Sequence, residues 1–102
     1  VSKETYRISD FQRSERDFAF VVDKNLRVGA LNQIITSLDS NIKSVNIFDI
    51  FEGGSLPENK KSVAINVIIQ AEDRTLSEDD LNTISQKIIK TIKDKTGGTI
   101  RS

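Results

Sequence analysis

The sequence predicts an α+β domain, a four-stranded antiparallel sheet with two helices on one face. Three observations predict it. Apolar residues recur with period two in three separate runs, within Arg16–Asp23, Ile42–Glu52 and Lys61–Ala71. Two other stretches, Val28–Leu38 and Leu81–Ile92, carry apolar residues at helical spacing. Glycines at Gly53-Gly54 and Gly97-Gly98 punctuate the chain and leave a short last strand at Thr99–Arg101. Strand, helix, strand, strand, helix, strand is the split βαβ order.

Residues 1–14 are rich in Ser, Lys, Glu and Arg and alternate poorly, which predicts a linker or an arm. The domain proper is then expected over residues 15–102. In the run RDFAFVVD, Phe18, Phe20 and Val22 fall on one side and Asp17, Ala19 and Val21 on the other, as in a half-buried strand. Val28, Leu31, Ile34, Ile35 and Leu38 make an amphipathic helix of about three turns, ended by Asp39–Asn41. The strand from Ile42 to Glu52 breaks its alternation where Ile47 and Phe48 stand side by side. A bulge or sharp twist there would send Phe48 and Ile50 into the core and turn Asp49 and Phe51 outward together.

Gly53, Gly54 and Pro57 mark a connection too long for a two-residue hairpin turn. The next strand should bury Val63, Ile65, Val67 and Ile69 and leave Ser62, Ala64, Asn66 and Ile68 on the other face, small enough to admit a flat ligand. Ser77 is the expected N-cap of the second helix, with Asp80 three residues on and the stripe Leu81, Ile84, Ile88, Ile92 behind it. Glu78, Asp79 and Asp80 in the first turn and Lys90, Lys93 and Lys95 near the end complement the helix dipole. The arrangement is a ferredoxin-like βαββαβ sandwich. Modules of similar topology stack RNA bases on the sheet face that the helices leave open.

Composition limits what such a domain does. The 102 residues suffice for one core, and with 36% hydrophobic and 29% charged residues it is a small domain with much solvated surface. Fifteen basic and fifteen acidic residues cancel, so any nucleic acid must be held locally and not by bulk charge. Without cysteine or histidine there is no disulfide framework, no ordinary zinc site and no imidazole for acid–base work. No apolar run reaches the roughly 20 residues of a membrane helix, and the polar start is not a signal peptide, so a cytoplasmic location is expected. The chain begins at Val1 and has no methionine, which predicts a piece of a longer protein.

The stretch from Ile47 to Leu76 holds the chemistry of interest. Asp49 and Phe51 near the end of one strand face Ser62 at the start of the next. A carboxylate beside an aromatic ring can hold a nucleobase. Arg16-Asp17, Phe48-Asp49-Ile50-Phe51, Gly54 before Lys61-Ser62, and Arg74-Thr75-Leu76 resemble, in residue and in order, the C-terminal anticodon-binding domain of the phenylalanyl-tRNA synthetase beta subunit, over Phe11 to Arg101. The resemblance implies that Asp49, Phe51 and Ser62 bind the first anticodon base, a guanine. Its N1 and N2 donors suit a carboxylate, and adenine does not offer them. Phe51 would stack on the base. The family often has Tyr there, and usually a proline shortly after the position of Phe11, where this chain has Gln12.

Arg16, Lys60, Lys61 and Arg101 are the possible phosphate contacts, with Arg16 and Asp17 read first as a structural pair ordering the start of the strand. The GGSLPEN connection lacks the spacing and the terminal Lys-Ser or Lys-Thr of a phosphate-binding loop. No catalytic residue, metal ligand or cofactor site is expected in this chain. The resemblance implies that ATP and magnesium are used elsewhere in a heterotetramer, by a parent enzyme that charges phenylalanine tRNA, so the partners are the tRNA anticodon, the alpha subunit and the rest of the beta subunit, with no membrane and no DNA. Without the resemblance, Asp49 reads as a solvated strand-end charge and Phe51 as a core residue at the sheet edge. Two alternatives stay open on the residues alone, a small-ligand regulatory module of the same fold and a structural docking domain.

Overall fold

The computed structural model describes residues 13–101. Elements follow in the order β1 (Ser14–Asp23), α1 (Val28–Thr36), β2 (Ile42–Phe51), β3 (Lys60–Ile69), α2 (Glu78–Thr96) and β4 (Thr99–Ile100). The strands form one sheet in the order β2-β3-β1-β4, and each neighbouring pair is antiparallel. The arm expected over residues 1–14 falls outside the described residues except for Arg13 and for Ser14, which already belongs to β1.

One face of the sheet is closed by the helices. From β1 come Phe18, Phe20 and Val22, from β3 Val63, Ile65, Val67 and Ile69, and these meet Leu31 and Ile35 of α1 and Leu81, Ile84, Ile88 and Ile92 of α2 in a single core. The Phe18 and Phe20 rings stack with centroids 5.7 Å apart. Register explains the sorting, because Phe18 pairs with Ile65 and Phe20 with Val63, placing large apolar groups opposite one another on the helix side.

The second helix is built as its sequence dictates. The Ser77 hydroxyl accepts from the Asp80 amide at 3.1 Å, and the Asp80 carboxylate accepts from the Ser77 amide at 3.0 Å, closing a capping box. The backbone and hydroxyl of Ser77, and after them the charge of Arg74, hold the Asp80 carboxyl below its ordinary value of 3.8. Gly97, left-handed at φ 76°, ends the helix. Gly98 then lets β4 in close, since a Cβ there would lie 2.7 Å from Val22 Cγ1.

In β2 the bulge is present but its consequence differs from the expectation. The register slips between Ile47, which pairs with Ile65, and Asp49, which pairs with Ala64, so Phe48 is the extra residue. Yet Phe48 and Ile50 are not in the core, being 61% and 48% exposed. The β2 residues that are buried are Ile42 and Val45. The reason is length. Nine residues of α1 span roughly 13 Å whereas ten of β2 span roughly 33 Å, and α1 lies against the first part, where Asn32 Nδ2 donates to the Val45 carbonyl at 3.2 Å. The far end of β2 extends past its cover.

Candidate nucleic-acid interface

The face turned away from the helices is lined by the alternate residues of the same strands. Two rows of cross-strand neighbours define its upper end. Phe51 pairs with Ser62, Ser62 with Val21 and Val21 with Thr99. Asp49 pairs with Ala64 and Ala64 with Ala19, and the Arg101 amide donates to the Ala19 carbonyl at 2.6 Å. The middle of this face is therefore a floor of Ala19, Val21, Ala64 and Ser62, with Asp49 and Phe51 on one edge strand and Arg101 beyond the other.

That floor decides what can meet above it. Strands β2 and β4 are three spacings apart, about 14 Å at the usual inter-strand distance, yet the Arg101 guanidinium reaches to 5.8 Å from the centroid of the Phe51 ring. The two long side chains approach across the short Ala19, Ala64 and Ser62. A cation at this distance from an aromatic face is attracted to it, by about 0.5–1 kcal/mol at an exposed site. Phe51 is 43% exposed and Ser62 5% exposed, so the hydroxyl lies at the bottom of the floor and the ring stands above it.

Charge pairing sets Asp49 apart from its neighbours. Asp23 pairs with Lys60 at 2.9 Å and Glu52 with Lys24 at 3.6 Å. Glu15 and Asp17 both accept from Asn66 Nδ2, at 3.1 and 2.8 Å. Asp49 is exposed, and among the described residues its carboxylate has neither an ion pair nor a hydrogen bond. The Ser62 hydroxyl likewise has no hydrogen bond among them. Two acceptors and a ring at one end of an open sheet are left with unused capacity.

The expected phosphate contacts divide. Arg101 is exposed on this face, and Lys60 is half-buried beside Asp23 at its margin. Lys61 is elsewhere, because it pairs with Val22 on the helix side, is 9% exposed, and donates its ammonium to the Leu26 carbonyl at 2.6 Å. Alternation puts it on the opposite side from Ser62, and its task there is to hold the turn between β1 and α1. Arg16 also points to the helix side and pairs with Glu78 of α2 at 3.1 Å, while Asp17 bonds Asn66 on the open side. The expected Arg16–Asp17 pair is thus replaced by two separate contacts, since consecutive strand residues face opposite ways. Arg74 lies 3.9 Å from Asp80 in the cap region of α2.

The family model described as a ferredoxin-fold anticodon binding domain matches residues 9–101. The chain belongs to that family. It is 48% identical over 100 residues to a protein of Rickettsia felis named phenylalanine–tRNA ligase beta subunit, covering 97% of this chain and 12% of the relative. Proteins of the same name from Rickettsia typhi and Brucella abortus are 47% and 42% identical, over 93% and 98% of this chain and 12% and 13% of theirs. The chain thus spans about an eighth of the length of the curated relatives it matches.

Within this ferredoxin-fold anticodon-binding domain, sequence reasoning passed over the floor residue Ala19. Period-two alternation placed Ala19 on the correct side of its strand. Its position between Asp49 and Arg101 depends on the order of strands, for which the sequence carries no local signal. Two shallow hollows, about 200 Å³ beside Arg27, Gly29, Ala30 and Gln33 and about 450 Å³ beside Ser40, Lys43, Glu72 and Arg74, lie apart from Asp49 and Phe51.

Proposed function

We propose that this chain is the anticodon-binding domain of a phenylalanine–tRNA ligase beta subunit and reads the first anticodon base on its open sheet face. One observation carries the reading. An exposed, unengaged carboxylate, Asp49, stands two residues from an exposed ring, Phe51, above a floor of small side chains. A guanine stacked on Phe51 could offer its N1 and N2 donors to Asp49, with Ser62 beneath as a further partner. Stacking of this type is worth about 1–3 kcal/mol per base.

Charge restricts the path of the RNA backbone. Glu15 and Asp17 occupy the lower end of the same face and would repel phosphate, whereas Arg101 and Lys60 stand near the Phe51 end. Arg101 is the more available cation, since Lys60 is already paired with Asp23.

The chain contributes binding energy remote from any reacting bond, which lowers the tRNA concentration needed and orients the acceptor end. The chemistry belongs to the rest of the assembly, with an alpha subunit and the remainder of the beta subunit as partners in the cytoplasm. The described residues do not fit ATP or magnesium, because no three carboxylates are placed together to hold a metal ion, the glycine-rich connection lacks the glycine spacing of a phosphate-binding loop, and Lys61 after it is tied to the Leu26 carbonyl. No described helix is long and apolar enough to cross a membrane.

The test is a titration of the isotope-labelled chain with the anticodon stem-loop of phenylalanine tRNA, at low salt, and with the first anticodon guanine replaced by adenine. Shifts gathered at Asp49, Phe51 and Ser62 that need the guanine support base readout. Shifts indifferent to that base, or absent at high RNA concentration, sink it. A docking role within the same assembly is the second reading, favoured by the exposed apolar pair Phe48 and Ile50, and shifts confined to them on adding the partner subunits would support it.

A further inference from the structure

Phe51 sits at a strand end with no helix beneath it, where an aromatic side chain is ordinarily free to change rotamer. A stacking surface works better if its orientation is set before the base arrives, because ordering a side chain during association weakens binding. Two contacts set this ring. Arg101 lies 5.8 Å over its centroid. Gly54, at φ +59°, brings bare backbone against its far edge, so that a Cβ built there would lie 3.1 Å from Phe51 Cζ and 3.4 Å from Cε2. Gly53 also has a positive φ, +91°, but a Cβ there would meet nothing within 4 Å.

The neighbouring glycines therefore have separable roles. Gly53 serves the turn alone. We propose that Gly54 is a positioning residue for base stacking, holding the edge of the Phe51 ring at the height from which a base on that ring reaches Asp49. The inference rests on the anticodon reading given above. Carbon atoms settle at about 3.5–4.0 Å, so a methyl group at Gly54 would push the ring tip outward, toward the Arg101 side or into solvent. Asp49, fixed by its strand pairing to Ala64, would stay behind. A base seated on the displaced ring would then miss the roughly 2.7–3.2 Å that its hydrogen bonds to the carboxylate require, and selectivity would fall together with affinity.

The experiment compares Gly54→Ala with Gly53→Ala, each with and without Phe51→Ala. Binding is measured to the guanine and adenine forms of the anticodon stem-loop, and the ¹H–¹³C resonances of the Phe51 ring are recorded in the free proteins. Gly54→Ala is expected to shift the ring resonances, to weaken binding of the guanine form about threefold or more, and to narrow the gap between the two RNAs. Gly53→Ala carries a left-handed backbone cost without the ring contact, so it should lower the melting temperature and keep affinity within about twofold. With Phe51→Ala present, Gly54→Ala should cause no further loss.

Wild-type ring resonances and wild-type binding in Gly54→Ala would overturn the inference. So would losses from Gly54→Ala and Phe51→Ala that simply add. If the unmodified chain does not distinguish the two RNAs, the anticodon reading fails and takes this inference with it. If it does distinguish them while Gly54→Ala behaves as wild type, the positioning role alone is lost. The ring resonances of the free variant remain readable even where RNA binding vanishes.

Discussion

The two faces of one sheet are built from the same strands and carry opposite kinds of side chain. On the helix side, Phe20, Val63, Ile65 and Val67 are fully buried, and even a lysine there, Lys61, is tied to a backbone carbonyl. On the open side, the corresponding alternate positions are Ala19, Ala64, Ser62 and Asn66, rimmed by Asp49, Phe51 and Arg101. Because neighbouring residues point opposite ways, core packing and the proposed recognition residues are interleaved along each strand with little shared side-chain contact. The lesson is that open-face substitutions should change binding without unfolding the domain, and helix-side ones should do the reverse.

The largest effect expected is on the helix side. Phe20→Ala removes a ring with no exposed surface, and urea denaturation should report a loss of about 3–5 kcal/mol. A loss under about 1 kcal/mol would mean that the helices do not clamp this face as described. Gly98→Ala comes next. Its methyl group would lie 2.7 Å from Val22 Cγ1 and 3.1 Å from Ile92 Cγ2, an overpacking that should cost about 1–3 kcal/mol. It would also lift β4 and the Arg101 that follows it, making it the substitution that couples the two faces. A stable Gly98→Ala variant with unaltered RNA binding would contradict the close approach of β4.

Smaller effects sharpen the division. Ser77→Ala opens the capping box of α2 and should cost about 1 kcal/mol while leaving RNA binding alone. Acid should act at the same place. The Asp80 carboxyl in the folded chain lies below its ordinary 3.8, chiefly through its bonds to Ser77, so its stabilising contribution is complete above that value. It is lost as pH falls through the folded value, and Asp80→Asn should abolish that part of the pH dependence. Thermal melts at pH 5 and below, on wild type and variant, would show it. At the other extreme, Arg101→Gln should change stability by less than about 0.5 kcal/mol and reduce the salt slope of RNA binding by about one counterion. An unchanged slope would leave Arg101 as a neighbour of Phe51 and no partner of phosphate.

Much of this architecture was legible in the residues. Alternation in β1 and β3, the stripe of α2 and its Ser77–Asp80 cap are local patterns, and the fold realises each of them. The bulge at Phe48 was legible as well, as two large apolar residues side by side. What failed depended on relations between elements. Phe48 and Ile50 read as core because they are large and apolar, but burial needs a cover, and α1 is too short to provide it there. Lys61 reads as a residue near the open face because it is basic and next to Ser62, but strand alternation commits it to the helix side, and Arg16, read first as a structural partner of Asp17, pairs instead with Glu78. The contact of Phe51 with Arg101 links distant strands through intervening small residues, a relation that no sequence window contains.

The most direct test of the account is Asp49→Asn, which keeps the shape of the side chain, removes its charge and replaces one acceptor with a donor. Stability and stem-loop affinity would be measured on the same preparation, with guanine and with adenine at the first anticodon position. Readout of guanine by Asp49 predicts a change of less than about 0.5 kcal/mol in stability and a loss of about 1–3 kcal/mol in the preference for guanine. An intact preference in a stably folded variant would contradict it, and the open face would then have to serve some purpose other than reading that base.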